Sequence, residues 1–339
     1  MMTASTQVRA FTSPVPAEGS KAAAPAKAVT LEPPKTATAG SEQPPHDSVD
    51  ADVLLHLPNP TTKPTTPLVD KLAIAACMGS GAWLATGIAM HLAAAPTLGA
   101  AAVGLATVAA SAAGAYAAAD LGSGIFHWFI DNYPTAKTPV IGHMAREFQH
   151  HHHRTNDLQD LTFWSNCATS GKFLWVPMAA VAALHPPLAI QSAALTFFGG
   201  TLLAQGSHRW THEDNPPAIA KVLQKLHVVQ PRENHLTHHK LPWDDYYCIV
   251  NGMWNKALSK IDLYRHLEVG VFKLTGKEPH SWRDPGVKAY ALGEKTRAQF
   301  LADRDTDKKV FVQSVKAEFA EYAATLKSRL APPAPAEQP

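Results

Sequence analysis

The stretch LAIAACMGSGAWLATGIAMHLAAAPTLGAAAVGLATVAASAAGAYAAA, residues 72 to 119, runs for 48 residues without one Asp, Glu, Lys or Arg. A bilayer crossing takes about 20 apolar residues, so this run is long enough to cross twice, with Ala95-Pro96-Thr97-Leu98-Gly99 as the turn. A second uncharged run of 36 residues, 173 to 208, is broken at His185-Pro186-Pro187, where proline disfavours helix in the residue before it. Two shorter spans are expected there, 173 to 184 and 188 to 204, the first short enough to be re-entrant. The expected fold class is all-α: an integral membrane protein with about four transmembrane or re-entrant helices. Uncharged runs this long argue against a soluble fold with Ala-rich core helices.

All 30 Lys and Arg lie outside the two runs. The N-terminus, the segment 120 to 172 and everything after 209 therefore share one face, cytosolic or stromal by the rule that basic residues stay inside. A net charge of +2 does not argue for a nucleic-acid partner. The three cysteines, Cys77, Cys167 and Cys248, form no CxxC pair and no disulfide framework, which suits a reducing compartment.

Residues 1 to 69 carry 11 of the 27 prolines and no apolar periodicity. They are expected to form a disordered extension, with Arg9, Lys21 and Lys27 against Glu18 before residue 32 giving it a faint transit-peptide character. Residues 70 to 285 are expected to form the membrane domain. In 286 to 339, the residues Phe311, Val315, Phe319, Tyr322, Leu326 and Leu330 recur at steps of three and four, an amphipathic helix before a Pro-rich tail.

Thirteen of the 18 histidines fall between His127 and His239, nearly all in the polar segments of one face. His208 and His212 stand four apart on one helical face; His235, His238 and His239 fall within one turn; Asp131 follows His127 by four. Imidazoles so spaced can grip a metal from one helix, and neutral imidazole suits iron and zinc. His212-Glu213 is followed by Asp-Asn-Pro, so the HExxH zinc-peptidase signature is not completed. About eight histidines beside short spans exceed what one zinc uses and suit two metals on the cytosolic or stromal face. A non-enzymatic metal-binding membrane protein is the alternative from another class. In QHHHHRTN (149 to 156), spacing alone does not say which histidines of the run bind.

The strings DLGSGIFHWFIDNY (120 to 133), TPVIG (138 to 142), FQHHHH (148 to 153), HRWTH (208 to 212), LQKLHVVQPRENHLTHH (223 to 239) and YCIVNGMWN (247 to 255) resemble the lipid desaturase family known as Kua or CarF. One branch comprises plasmanylethanolamine desaturases, which make the vinyl ether of plasmalogens; the other is the plant plastid desaturase that places a trans double bond at carbon 3 of palmitate in phosphatidylglycerol. DLGSG, TPVIG, YCIVNG and HSWRDP (280 to 285) sit closer to the plastid branch, and His227 in LHVVQPR to the plasmalogen branch. In both branches an HH pair is followed, after ten intervening residues, by a phenylalanine; ten residues separate His152 from Phe163, which implies His151 and His152 as the pair. The intervening RTNDLQDLT departs from the family's pattern.

The resemblance implies two non-haem iron ions held by His127, His151, His152, His208, His212, His235, His238 and His239, with His227 a possible ninth ligand. Asp131 and Asn166 are expected to orient ligands from behind, Arg209 and Arg232 to meet a lipid head-group phosphate, and Trp128, Trp210 and Trp254 to anchor at the interface. The implied substrate is a membrane phospholipid and the implied reaction an O2-dependent acyl desaturation. With no CxxC, GxGxxG or HPGG motif in the chain, electrons are expected from an external donor, ferredoxin in a plastid or cytochrome b5 at the endoplasmic reticulum. A plastid membrane is favoured, with the endoplasmic reticulum or a bacterial membrane as alternatives.

Overall fold

A computed structural model describes residues 65–304, apart from 136–137, 154 and 241–242; the side chains of residues 143, 146, 150, 153, 156 and 157 fall outside that description. The N-terminal extension lies almost wholly, and the C-terminal amphipathic helix wholly, outside the described residues. Every regular element among the described residues is helical. In chain order the α-helices are α1 (Leu68–Ala93), α2 (Leu98–Asn132), α3 (Gly142–His153), α4 (Phe163–Leu184), α5 (Leu188–His212), α6 (Ala218–Lys225), α7 (Arg232–His238), α8 (Asn255–Lys260), α9 (Leu263–Thr275) and α10 (Pro285–Ala291). Helices α1, α2, α4 and α5 are long and apolar enough to cross a membrane.

Local chemistry sets their ends. Thr97 accepts the Ala100 amide at 3.1 Å to cap α2, and Thr162 accepts that of Ser165 at 3.0 Å to cap α4. His185 closes α4 in the left-handed conformation, and Pro187 stands directly before α5. Three spans differ from expectation, α5 by continuing past 204 to His212. Helix α2 does not stop where the uncharged run stops but continues through Asn132 for 35 residues, about 52 Å of rise against a hydrocarbon core of about 30 Å. His127 and Asp131 therefore ride on a membrane helix that projects from its bilayer section. Helix α4 starts ten residues before the expected 173 and, at 22 residues, has the length of a full crossing. Lys172, whose charge ended the uncharged run, lies inside α4 with its Nζ 2.8 Å from Oδ1 of Asp70 on α1.

Small side chains let these helices approach closely, as membrane interfaces require. A Cβ on Gly206 of α5 would stand 2.5 Å from the Cys167 sulfur and 2.7 Å from the Phe163 ring on α4, so the backbones meet there. Ile74, Cys77, Cys167, Ala168 and Leu202 bury against one another at the same level.

The other helices cap the end of the bundle where α2 and α5 finish and α4 begins. The loop of residues 244–254 runs against α2, and its hold is Asp120. This buried carboxylate accepts the amides of Asn251, Gly252 and Trp254 at 2.9, 2.8 and 3.2 Å. Gly252 has φ +72°, which glycine adopts without strain, and a Cβ on Gly124 would sit 2.4 Å from the Cys248 sulfur. The loop is also tied to α7 and to the segment before it: Asn234 donates to the Gly252 carbonyl at 3.1 Å, and Gln230 to the Cys248 carbonyl at 2.9 Å. Trp128, expected at the membrane interface, is instead buried against Tyr247, Cys248, Leu258 and Tyr264. Behind it, the buried Glu268 pairs with Arg265 at 2.6 Å and accepts from Ser281 at 2.8 Å and Trp282 at 2.9 Å, which places the HSWR turn. Val287 and Phe300 pack on Trp282, so the packing continues across residue 285.

Replacing Asp120 by Ala strands three loop amides, at about 1–3 kcal/mol for each donor left buried and unpaired. The melting temperature of the detergent-purified protein should fall by several degrees, with faster proteolysis after residue 240; an unchanged melting curve would show that the loop is held by other contacts.

Candidate metal centre

Eight histidines and one aspartate converge at the capped end of the bundle. In the first group, His151 of α3, His208 and His212 of α5, His235 of α7 and His239 just after it direct ring nitrogens at a common point. The Nε2 of His235 lies 2.6 Å from that of His208, 2.8 Å from that of His212 and 2.8 Å from that of His239; the Nε2 atoms of His151 and His212 are 3.0 Å apart. The second group holds His127 and Asp131 of α2, His152 of α3 and His238 of α7. Its His152 and His238 Nε2 atoms are 2.9 Å apart. Successive residues on a helix point about 100° apart, so each HH pair divides, His151 and His239 to the first group and His152 and His238 to the second.

Backbone carbonyls set how the rings are held. The carbonyl of Tyr247 lies 3.0 Å from Nδ1 of His127, and that of Asp245 lies 2.8 Å from Nδ1 of His238. A carbonyl only accepts, so each Nδ1 carries the proton and each Nε2 turns a lone pair inward. Burial pushes His151, His235 and His238 well below the usual imidazole range, and the surrounding imidazoles push the same way. They stand as neutral bases, the form that binds a metal. Trp243, at φ +62°, stacks on the His152 ring with centroids 5.0 Å apart and the planes 26° from parallel.

The remaining expected site residues lie elsewhere. His227 is exposed and belongs to neither group. Asn166 is buried away from the imidazoles, donating to the Leu158 and Thr162 carbonyls at 3.0 and 3.3 Å; it ties the 3₁₀ turn Thr155–Asp160 to the start of α4. Arg209 pairs with Glu213 at 3.2 Å, and Arg232 reaches the Glu213 carbonyl at 2.7 Å and Asp214 at 3.3 Å, both at the end of α5. The holding carbonyls of Tyr247 and Asp245 went unmarked in the sequence because any residue type supplies a carbonyl.

A cavity of about 420 Å³ opens inside the bundle beside the second group. His127 and Gln205 lie at its polar end; Phe126, Phe148, Phe173 and Phe197 supply most of its ring surface. On α2 the lining runs from Ala119 to His127, eight residue steps or about 12 Å of rise. The lining residues of α4 and α5 likewise extend from the capped end toward the middle of the membrane section.

Residues 116–282 match the lipid desaturase domain. Over 175 residues the chain is 35% identical to the chloroplastic fatty acid desaturase 4-like 1 of Arabidopsis thaliana, an alignment covering 50% of this chain and 58% of that protein. It is 31% identical over 182 residues to the plasmanylethanolamine desaturase of Myxococcus xanthus, covering 51% of this chain and 63% of that one. A protein of Acanthamoeba polyphaga mimivirus named "Probable fatty acid desaturase" is 32% identical over 172 residues, covering 49% of this chain and 83% of that one. The chain spans little more than half the length of the plant relatives it matches. No solved structure matches it. The domain match, which contains every histidine and the aspartate of the two groups, and the viral relative covered over most of its length place the chain in the lipid desaturase family.

Proposed function

We propose that this protein is a membrane-bound di-iron desaturase that introduces a double bond into an acyl chain of a membrane phospholipid at the expense of O2. The observation that carries this reading is the junction of two imidazole-rich groups with an apolar cavity through the shared residue His127. Nine donors in two adjacent groups exceed the needs of one ion, and neutral imidazoles with one carboxylate suit iron. His127, His151, His152, His208, His212, His235, His238 and His239 are the proposed ligands. When bound, the irons supply O2 activation and the removal of two hydrogens from neighbouring carbons, with two electrons from an external donor, ferredoxin or cytochrome b5.

The chain's own residues do the rest. The carbonyls of Tyr247 and Asp245 hold His127 and His238 with Nε2 inward. The apolar lining takes an acyl chain and excludes water. The site lies at the polar end of the bundle and the cavity runs inward, so the first carbons presented to His127 are those near the head group. That fits a bond at carbon 3 or a vinyl ether alike. Phosphatidylglycerol-bound palmitate in a plastid membrane is the preferred substrate, in keeping with the chloroplastic relatives; the alternative, a plasmanylethanolamine, follows the bacterial relative. Arg209 and Arg232 are the proposed contacts for the lipid phosphate.

Lipid extracts of a host expressing this chain with a ferredoxin supply should contain a trans-3 palmitate derivative that disappears in His238→Ala. Vinyl ethers instead would assign the plasmalogen reaction, and neither product from an iron-loaded protein supplied with both donors would remove the desaturase reading.

A Cβ on Gly122 meets the Phe197 ring at 4.0 Å, an ordinary contact, so a larger side chain there grows into the cavity. Gly122→Leu should cut conversion of long acyl chains by about 10-fold or more relative to short ones, with bound iron unchanged; an unaltered product profile by gas chromatography would place the acyl chain elsewhere.

In the metal-free protein, His151, His235 and His238 are held below the ordinary value of 6.5 that they regain on unfolding. Below that pH the unfolded chain binds more protons, so stability falls with pH, by up to about 1.4 kcal/mol per ring at pH 5.5. The melting temperature of chelator-treated protein in detergent should drop between pH 7.5 and 5.5; a flat profile would mean that these rings are not neutral in the fold.

A further inference from the structure

The placement of Asp131 separates two roles for a carboxylate beside metal-binding imidazoles. A carboxylate that orients a ligand ring sits behind it, on the nitrogen that does not face the metal. For His127 and His238 that outer nitrogen is Nδ1, and it is taken by the carbonyls of Tyr247 and Asp245. The Oδ2 atom of Asp131 lies on the inner side, 3.2 Å from Nε2 of His127, 3.4 Å from Nε2 of His152 and 3.7 Å from Nε2 of His238. Donor atoms bonded to one ion at about 2.0–2.2 Å stand roughly 3–3.5 Å from one another. The neighbours of Oδ2 fall close to that spacing.

Charge points the same way. The Asp131 side chain is 5% exposed, and neither oxygen has a hydrogen-bond partner. With Nδ1 protonated on His127 and His238, their Nε2 atoms present lone pairs to the carboxylate. An anion buried against lone pairs is unfavourable until a cation enters between them.

We propose that Asp131 is a direct metal ligand, so that the two metal positions are chemically unlike: one bound by five imidazoles, the other by three imidazoles and a carboxylate. This rests on the reading of the two groups as metal sites and changes the role expected of Asp131 from orienting a ring to binding the ion. His127 lines the cavity and Asp131 follows it by one helical turn, so the carboxylate-bearing position is the one beside the substrate cavity. It combines a hard oxygen donor with imidazoles and is held by four protein groups, where the other position is held by five.

The test is metal analysis with Mössbauer spectra of the purified, iron-loaded full chain. The unaltered protein should bind two irons in two distinct environments. Asp131→Asn keeps the shape and loses the anion; bound iron should fall to about one per chain, and the remaining spectrum should be that of the five-imidazole position. Asp131→Glu keeps the charge and moves the oxygens by one methylene; it should retain two irons with only one spectrum altered, which provides the test should the Asn variant fail to fold. Two irons with both spectra unchanged in either variant would overturn the proposal. An unaltered protein that binds fewer than two would overturn the two-site reading beneath it.

Discussion

A single buried carboxylate carries the link between the membrane helices and the metal centre. Asp120 directly follows the uncharged run of α2 and accepts the amides of Asn251, Gly252 and Trp254 within 3.2 Å. Those bonds position the loop of residues 244–254, and that loop carries the two carbonyls that hold Nδ1 of His127 and His238. The direction in which two imidazoles face thus depends on an aspartate that touches neither. Gly124 completes the arrangement, since any side chain there would push Cys248 and the following residues off α2.

The centre is assembled from helices rather than from mobile loops. Helix α2 contributes His127 and Asp131 from one face, α5 contributes His208 and His212 from one face, and α3 and α7 each bring an HH pair or its first member to the seam between the groups. Two adjacent residues on a helix cannot aim at one point. They serve two points, which is why a double pair and a two-group centre belong together. Burial then keeps the rings neutral, and neutrality is what metal binding requires.

Much of this was legible in the chain. The uncharged runs marked four spans because a bilayer admits few charges, and helical spacing marked the histidines because four residues return a side chain to the same face. The family resemblance singled out His151 and His152 within the four-histidine run; both rings enter the groups, while the side chains of His150 and His153 lie outside the described residues. The start of α4 was missed because Lys172 looked like the end of a span, whereas its partner Asp70 is about a hundred residues away in sequence and adjacent in space. The HxxxD step fixes which face of α2 Asp131 shares with His127, not which ring nitrogen the carboxylate meets. The exposed position of His227 and the burial of Trp128 depend on loop and cap packing that has no period to read.

The position of the centre answers two opposed demands. Nine polar donors and their ions would be costly deep in hydrocarbon, where charged groups lack water. An acyl chain, conversely, is costly to draw out into water. The structure meets both by placing the donors at the end of the bundle and extending an apolar cavity about 12 Å inward along α2. On the proposed reading, an acyl chain would enter this cavity from the membrane side with its head-group end toward His127. Gln205 fits this division: it lies at the polar end of the cavity with its carbonyl oxygen 3.4 Å from Nδ1 of His208. The cavity wall is therefore joined to both histidine groups, through His127 to one and through Gln205 and His208 to the other.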